Sequence, residues 1–145
     1  MQERRILVVD DDPNDAELTL RALEGLKLKD LVDLARDGQE ALDYLERRGA
    51  FAGRASGDPA VVLMDVRMPR LSGIEALERI KGNPALRKIP VVMLTSSREE
   101  GDVLKSYELG SNAYVVKPVP FEKYLAAVAG LAQFWGKLNE PPPAA

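Results

Sequence analysis

"ILVVDDDPNDAE", residues 6–17, runs four apolar residues straight into three adjacent carboxylates and then into a proline. Ile6 to Val9 have the aliphatic, β-branched character of a buried strand. Asp12 before Pro13 has the chemistry of a helix start: a side-chain oxygen to cap free N–H groups, then a residue whose fixed φ suits the first turn. Asp15, in that first turn, complements the helix dipole. One strand feeding one helix is a βα unit. Capping needs a single carboxylate, so Asp10 and Asp11 remain to be explained. Adjacent acids repel unless a cation compensates. The stretch therefore predicts an α/β layer with a cation site at the end of its first strand.

The same unit recurs along the chain. "RILVV" (5–9), "LVDLA" (31–35), "AVVLM" (60–64), "VVMLT" (91–95) and "AYVV" (113–116) read as strands. Several are apolar without alternation, as expected of parallel strands covered on both faces; "LVDLA" is the exception and reads as an edge. Helical periodicity lies between them. Leu18, Ala22 and Leu26 share a face near 13–27, and Ala41, Leu42, Leu45 and Arg48 mark 37–48. Ile74, Leu77 and Ile80 mark 73–82, a weaker pattern covers 99–109, and Leu125, Val128, Ala132 and Trp135 form a stripe over 121–138. Five strands alternating with five helices predict an α/β fold with a doubly wound parallel sheet. The domain is expected over 4–138, with "GAFAGRASGDP" (49–59) as a flexible connection and "NEPPPAA" (139–145) as a Pro-rich disordered tail. No repeat or second domain is visible.

Composition narrows the chemistry. The 145 residues are 46% hydrophobic and 30% charged, with net charge −3 and no basic block, which argues against nucleic acid as a partner. No apolar stretch reaches membrane-spanning length and the start lacks a signal-peptide cleavage site, so no membrane association and a cytoplasmic location are expected. Cysteine and histidine are both absent. That removes thiolate nucleophiles, Ser-His relays and imidazole or sulfur metal sites. Carboxylates, hydroxyls, lysines and main chain remain, a set suited to a hard cation such as Mg²⁺.

In a doubly wound sheet, ligands bind beyond the carboxyl ends of the strands. There the first strand delivers Asp10, Asp11 and Asp12, the third Asp65, the fourth Thr95 with Ser96 and Ser97, and the fifth Lys117. Acids that hold a divalent cation, a carboxylate that can attack phosphorus, and a hydroxyl and an ammonium for the phosphoryl oxygens are the parts of a phosphoryl-transfer site.

"ILVVDDDP", "VVLMDVRMPRLSG", "PVVMLTSS" and "AYVVKPV" together resemble the motif set of the response-regulator receiver domain, over about residues 4–136. The resemblance implies a flavodoxin-like (βα)5 fold with strand order 2-1-3-4-5. It implies that Asp65 is the phosphoacceptor, taking a phosphoryl group from a phosphohistidine on a sensor histidine kinase. Mg²⁺ would be held by Asp11, by Asp10 through water, by Asp65, and by the main-chain carbonyl of Arg67. Thr95 and Lys117 would bind phosphoryl oxygens, Tyr114 would be the switch aromatic, and a cis Lys117–Pro118 peptide would place the lysine. Arg67 and Ser97 occupy the family's two variable positions that set phosphoaspartate lifetime. Arg67 is expected to lean over the phosphoryl group.

The expected protein is a single-domain switch that catalyses only its own phosphorylation and dephosphorylation. It would signal through the face formed by the fourth helix, fifth strand and fifth helix, to a partner or a second copy. "SYELGSNAYVVKP" and "AVAGLAQFWGKLNEPP" resemble small regulators that serve phytochrome-type kinases, so a bacteriophytochrome is the expected kinase type. Competing readings are a phosphate sink, a degenerate docking receiver, and an aspartate-dependent phosphatase. The last usually carries a second aspartate where this chain has Arg67.

Overall fold

Ile6–Val9 (β1), Val32–Ala35 (β2), Val61–Met64 (β3), Val91–Thr95 (β4) and Ala113–Val116 (β5) form one parallel sheet in the order β2-β1-β3-β4-β5. The computed structural model describes residues 4–26, 28–54 and 57–143. Every residue of β1, β3 and β4 is buried, which is why those strands lack polar alternation. β2 is the edge its sequence suggests, with Leu34 exposed. β5 closes the other edge and is half-buried throughout.

Alternate strand residues feed two cores. Leu7, Val9, Val62, Met64, Val91 and Met93 pack with Ala41, Leu42 and Leu45 of α2 (Gly38–Glu46) and Ala76, Leu77 and Ile80 of α3 (Gly73–Gly82). Ile6, Val8, Val61, Leu63, Val92 and Leu94 pack with Leu23 of α1 (Pro13–Glu24) and with Tyr124, Val128 and Ala132 of α5 (Phe121–Gln133). α4 (Glu100–Glu108) lies beside α3 and β5. Each fully buried aliphatic side chain contributes about 1.5–3 kcal/mol, so these two layers are the main source of stability.

Helix starts follow local chemistry. Asp12 accepts from the Asn14 N–H, with Pro13 in the first turn of α1. Ser72 and Glu75 form a reciprocal capping box on α3. Asp37 caps α2 by accepting from the Glu40 N–H.

The helical faces differ in detail from their periodicity. On α1 the most buried residues are Thr19 and Leu23 rather than Leu18, Ala22 and Leu26. On α5, Tyr124 rather than Leu125 heads the buried stripe, because its hydroxyl finds a partner in Thr19. α5 widens into a π turn over Phe134–Leu138 instead of continuing as α-helix. On α2, Arg48 is exposed and Tyr44 takes the inner position.

The stretch expected to be flexible is held along its described part. It opens with a short 3₁₀ turn at Gly49–Phe51. The Arg54 guanidinium then lies 4.1 Å above the Tyr44 ring centroid and donates from Nε to the Tyr44 carbonyl at 2.6 Å. Residues 55–56 of that stretch lie outside the described residues. The tail carries no helix or strand over 139–143. It is nevertheless tied back, because Arg4 Nη2 donates to the Pro142 carbonyl at 2.9 Å. Residues 144–145 lie outside the described part.

Two ionised aspartates lock elements together, Asp33 from within β2 and Asp37 from the loop that follows it. Asp33 on β2 accepts from Arg5 Nε at 2.6 Å and Nη2 at 3.0 Å and from the Tyr44 hydroxyl. Asp37 accepts from Arg70 Nε at 2.7 Å. Burial alone would raise both carboxyls. The hydrogen bonds from Arg5 and Tyr44 at one, and from Arg70 and the Glu40 N–H at the other, outweigh it and hold both below the ordinary range. Their folded values are depressed, so the stability they contribute is present above the unfolded value of about 3.9 and is lost as pH falls through the folded values. Urea denaturation at stepped pH is expected to show stability falling below about pH 4, with a shallower fall in Asp37→Asn.

Candidate functional site

Asp10, Asp65 and Lys117 each stand one residue beyond a buried or half-buried strand, and Thr95 is the last residue of its own. Ladder hydrogen bonds continue past the strand ends to fix them. The Asp10 N–H donates to the Ala35 carbonyl at 3.0 Å, Asp65 N–H to Val9 at 3.0 Å, and Lys117 N–H to Thr95 at 2.7 Å. Four side chains remote in sequence thus meet at one edge of the sheet because four registers agree.

The centre of the site is the Lys117 ammonium, whose side chain is 7% exposed. Nζ donates to Asp10 Oδ2 at 2.8 Å, Asp15 Oδ2 at 3.0 Å and Asp65 Oδ2 at 3.1 Å. An ammonium has three protons, so its capacity is filled. Burial would push the lysine's pKa down. The hydrogen bond to Asp10 and the charges of Asp65 and Asp10 more than reverse this, so it stays protonated. Asp10 is pushed up by its own burial, which Lys117 offsets only in part. Its other oxygen accepts from the Asp12 N–H at 3.0 Å.

Asp11 points outward, and ligand atoms of Asp10, Asp11 and Asp65 lie within 4.8 Å of one another. One ammonium faces four carboxylates here (Asp10, Asp11, Asp15 and Asp65), and the excess charge favours a further cation. Hard oxygen donors at this spacing fit a small divalent ion such as Mg²⁺.

Gly73 sets the position of Asp65. A Cβ built on Gly73 would fall 1.9 Å from the Asp65 carbonyl oxygen, and the Gly73 N–H donates to Val66 at 2.8 Å. A side chain at this point would push the phosphoacceptor candidate out of register. Gly38 has a similar approach, its Cβ falling 2.5 Å from the Leu71 carbonyl oxygen. Arg70, left-handed at φ 63°, closes the same loop by reaching Asp37. Arg70 and Gly73 lie within the "VVLMDVRMPRLSG" motif, whereas Gly38 falls in none of the four.

A cleft of about 310 Å³ opens beside Asp65, lined by Arg67, Thr95, Ser96, Ser97, Arg98 and Glu99. The Arg67 guanidinium lies at the rim of this cleft, where α4 begins. Its Nη2 is drawn to Glu99 Oε2 at 2.8 Å and Asp102 Oδ2 at 2.9 Å at the start of α4. Ser97 Oγ also donates to Asp102 Oδ2, at 2.6 Å, and the Ser97 carbonyl accepts from the half-buried Tyr114 hydroxyl at 3.0 Å. Thr95 Oγ1 accepts from the Ser97 N–H at 3.2 Å. Arg67, Ser97, Thr95 and Tyr114 are therefore linked parts of one rim.

The Lys117–Pro118 peptide is trans, against expectation. The lysine is placed instead by its backbone bond to Thr95 and by its carboxylates. Asp15 is the residue to which sequence reasoning assigned too little. It sits in the first turn of α1, yet its carboxylate turns to Lys117 rather than to free N–H groups.

The family model of the response regulator receiver domain matches residues 6–129. Among curated relatives, the probable methanogenesis regulatory protein FilR2 of Methanothrix harundinacea is 39% identical over 94% of this chain and 86% of its own length. Response regulator Rcp1 of Synechocystis is 36% identical over 90% of this chain and 87% of its own. Its structure in a Mn²⁺-bound form superposes with a TM-score of 0.85 and covers 97% of this chain and 99% of its own, at 35% identity. The phosphorylated cyanobacterial phytochrome response regulator RcpA superposes at 0.90 with 33% identity, covering 98% of this chain and all of its own. The bacteriophytochrome response regulator RtBRR is 56% identical at a TM-score of 0.77, covering 98% of this chain and 86% of its own.

Gly73→Ala is expected to destabilise the fold by about 1–3 kcal/mol through overpacking against the Asp65 carbonyl. Gly82→Ala, where a Cβ meets nothing within 4 Å, should be neutral or stabilising. Urea denaturation of the two variants reads the difference. Arg67→Ala, which removes exposed ion pairs, should cost less than about 1 kcal/mol in the same assay.

Proposed function

The chain belongs to the response-regulator receiver family, and we propose that it is a Mg²⁺-dependent phosphorylation switch whose phosphoacceptor is Asp65. A single observation carries this reading: one buried ammonium grips Asp65 and Asp10 at the edge where Asp11 and Thr95 also converge. Asp65 Oδ attacks the phosphorus of a phosphohistidine on a sensor histidine kinase. An O–P bond forms, the N–P bond breaks, and the imidazole leaves. Asp11, Asp65, the Arg67 carbonyl and, through water, Asp10 would hold Mg²⁺, which would neutralise charge on the crowded oxygens. Lys117 and the Thr95 hydroxyl donate to the phosphoryl oxygens. Attack by water on the phosphorus breaks the O–P bond, releases inorganic phosphate and restores the carboxylate, so the only phosphoryl group consumed is the kinase's.

The switch passes through the rim. Thr95 moving toward the phosphoryl group releases its bond from the Ser97 N–H, and Tyr114, bonded to the same loop, follows inward. Arg67 and Ser97 set the phosphoaspartate lifetime through their hold on α4. The output face would draw on α4, β5 and α5, where Leu104, Tyr107 and Phe121 are exposed apolar side chains. Its partner is a downstream protein or a second copy.

The kinase is a bacteriophytochrome in this reading. The stronger identity to RtBRR than to FilR2 supports light over a methanogenic input. A cytoplasmic location follows from such a kinase; among the described residues no helix is long and apolar enough to cross a membrane. A degenerate docking receiver would not need Asp10, Asp11, Asp65, Thr95 and Lys117 together. An aspartate-dependent phosphatase would need an acid where Arg67 stands.

Incubation with Mg²⁺ and acetyl phosphate should add one phosphoryl group by intact mass, absent in Asp65→Asn and in chelator. No adduct on the wild type would refute the switch, and turnover of a phosphate ester would favour the phosphatase.

A further inference from the structure

Lys117 spends its three protons on Asp10, Asp15 and Asp65, and only two of those carboxylates belong to the cation-holding group. Asp10 and Asp65 are both committed elsewhere once the pocket works, Asp10 to the cation and Asp65 to the phosphorus. Asp15 has no such duty.

Its own backbone is fixed from behind. The Asp15 carbonyl accepts from Thr19 Oγ1 at 3.0 Å, and Thr19 Oγ1 is 2.8 Å from the Tyr124 hydroxyl of α5. Both Thr19 and Tyr124 are buried, at 1% and 4% exposure. The Asp15 carboxylate thus reaches Lys117 from a helix turn that is bolted to a second helix.

Resting on the reading of Asp65 as phosphoacceptor, we infer that Asp15 is a positioning residue: it anchors the Lys117 ammonium in the reacting geometry while Asp10 and Asp65 are engaged with cation and phosphorus. Without it, the flexible four-carbon stem leaves the ammonium free to swing away from the oxygens it must meet. Asn at this position keeps an acceptor but loses the charge, which roughly halves the strength of the bond.

The test uses intact protein and two readouts. With Mg²⁺ and acetyl phosphate, Asp15→Asn should lower the phosphorylation rate about tenfold, the scale of one charge-assisted hydrogen bond. Thermal unfolding should stay near wild type, and because the lost charge weakens Mg²⁺ binding, both proteins are compared at saturating Mg²⁺ fixed by calorimetry. In a Lys117→Ala background the same substitution should change the rate less than about twofold, because the group it positions is gone. A similar drop in both backgrounds, or no drop in the wild-type background, overturns the inference.

The second readout needs no phosphoryl transfer. In ¹⁵N-lysine-labelled, Mg²⁺-loaded protein, the slowly exchanging ammonium signal that disappears in Lys117→Ala should also be lost in Asp15→Asn, while any signal from Lys81, whose Nζ donates to the Arg87 and Ile89 carbonyls, should persist in both. Persistence of the Lys117 signal in Asp15→Asn also overturns the inference. If the wild type accepts no phosphoryl group, the Asp65 reading fails while this signal still judges the anchor.

Discussion

The Lys117 ammonium is the point to which four parts of the chain are tied. β1 supplies Asp10, α1 supplies Asp15, β3 supplies Asp65, and β5 supplies the lysine itself. Each element could tilt or slide slightly within its own packing. None can do so without loosening a bond to the shared cation. Removing one member of a buried ion cluster leaves the others uncompensated, so the cluster enforces geometry more than it adds net stability. The surplus of carboxylates over ammonium is functional in the same sense: it keeps the pocket short of positive charge.

Two kinds of support hold this centre in place. On one side, backbone meets backbone, with Gly73 against the Asp65 carbonyl and Gly38 against Leu71, so the loops touch where any side chain would intervene. On the other side, polar groups chain outward. Arg67 and Ser97 share Asp102, and Tyr114 bonds the Ser97 carbonyl, so the loop after β4 is held by both a charge and a hydroxyl. The first support is rigid because sterics do not yield. The second can exchange partners, since each bond is exposed or half-buried and modest in energy. A pocket with one stiff wall and one exchangeable wall is suited to a switch.

The strands were legible in the sequence because β1 and β3 are apolar at every position and β4 at all but its last, Thr95, and runs that short and uninterrupted suit a strand covered on both faces. Asp10, Asp11, Asp65, Thr95 and Lys117 were legible because strand ends in such a sheet face one edge. Hidden from it were facts that depend on three-dimensional direction. Asp15 looks like a dipole-compensating acid in a first turn, and only the rotation of α1 turns it to Lys117. The pairing of Arg67 with Glu99 and Asp102, more than thirty residues on, has no local signature in the sequence. Tyr124 precedes the apolar stripe by one residue, and its burial depends on a hydroxyl partner on another helix. Arg54 lies in a Gly- and Ser-containing stretch that composition marks as loose, yet a carbonyl and an aromatic ring hold it.

The bond from Arg4 to the Pro142 carbonyl joins positions 138 residues apart, beside the amino end of β1. That is the pole opposite the strand ends where the acids gather. Both ends of the described chain therefore leave the molecule from one side. A polypeptide attached at either end would emerge far from the pocket, and bridging the ends with a short linker would let the chain be opened at a surface loop instead. The architecture thus separates the place where the chain can be spliced from the place where it reacts.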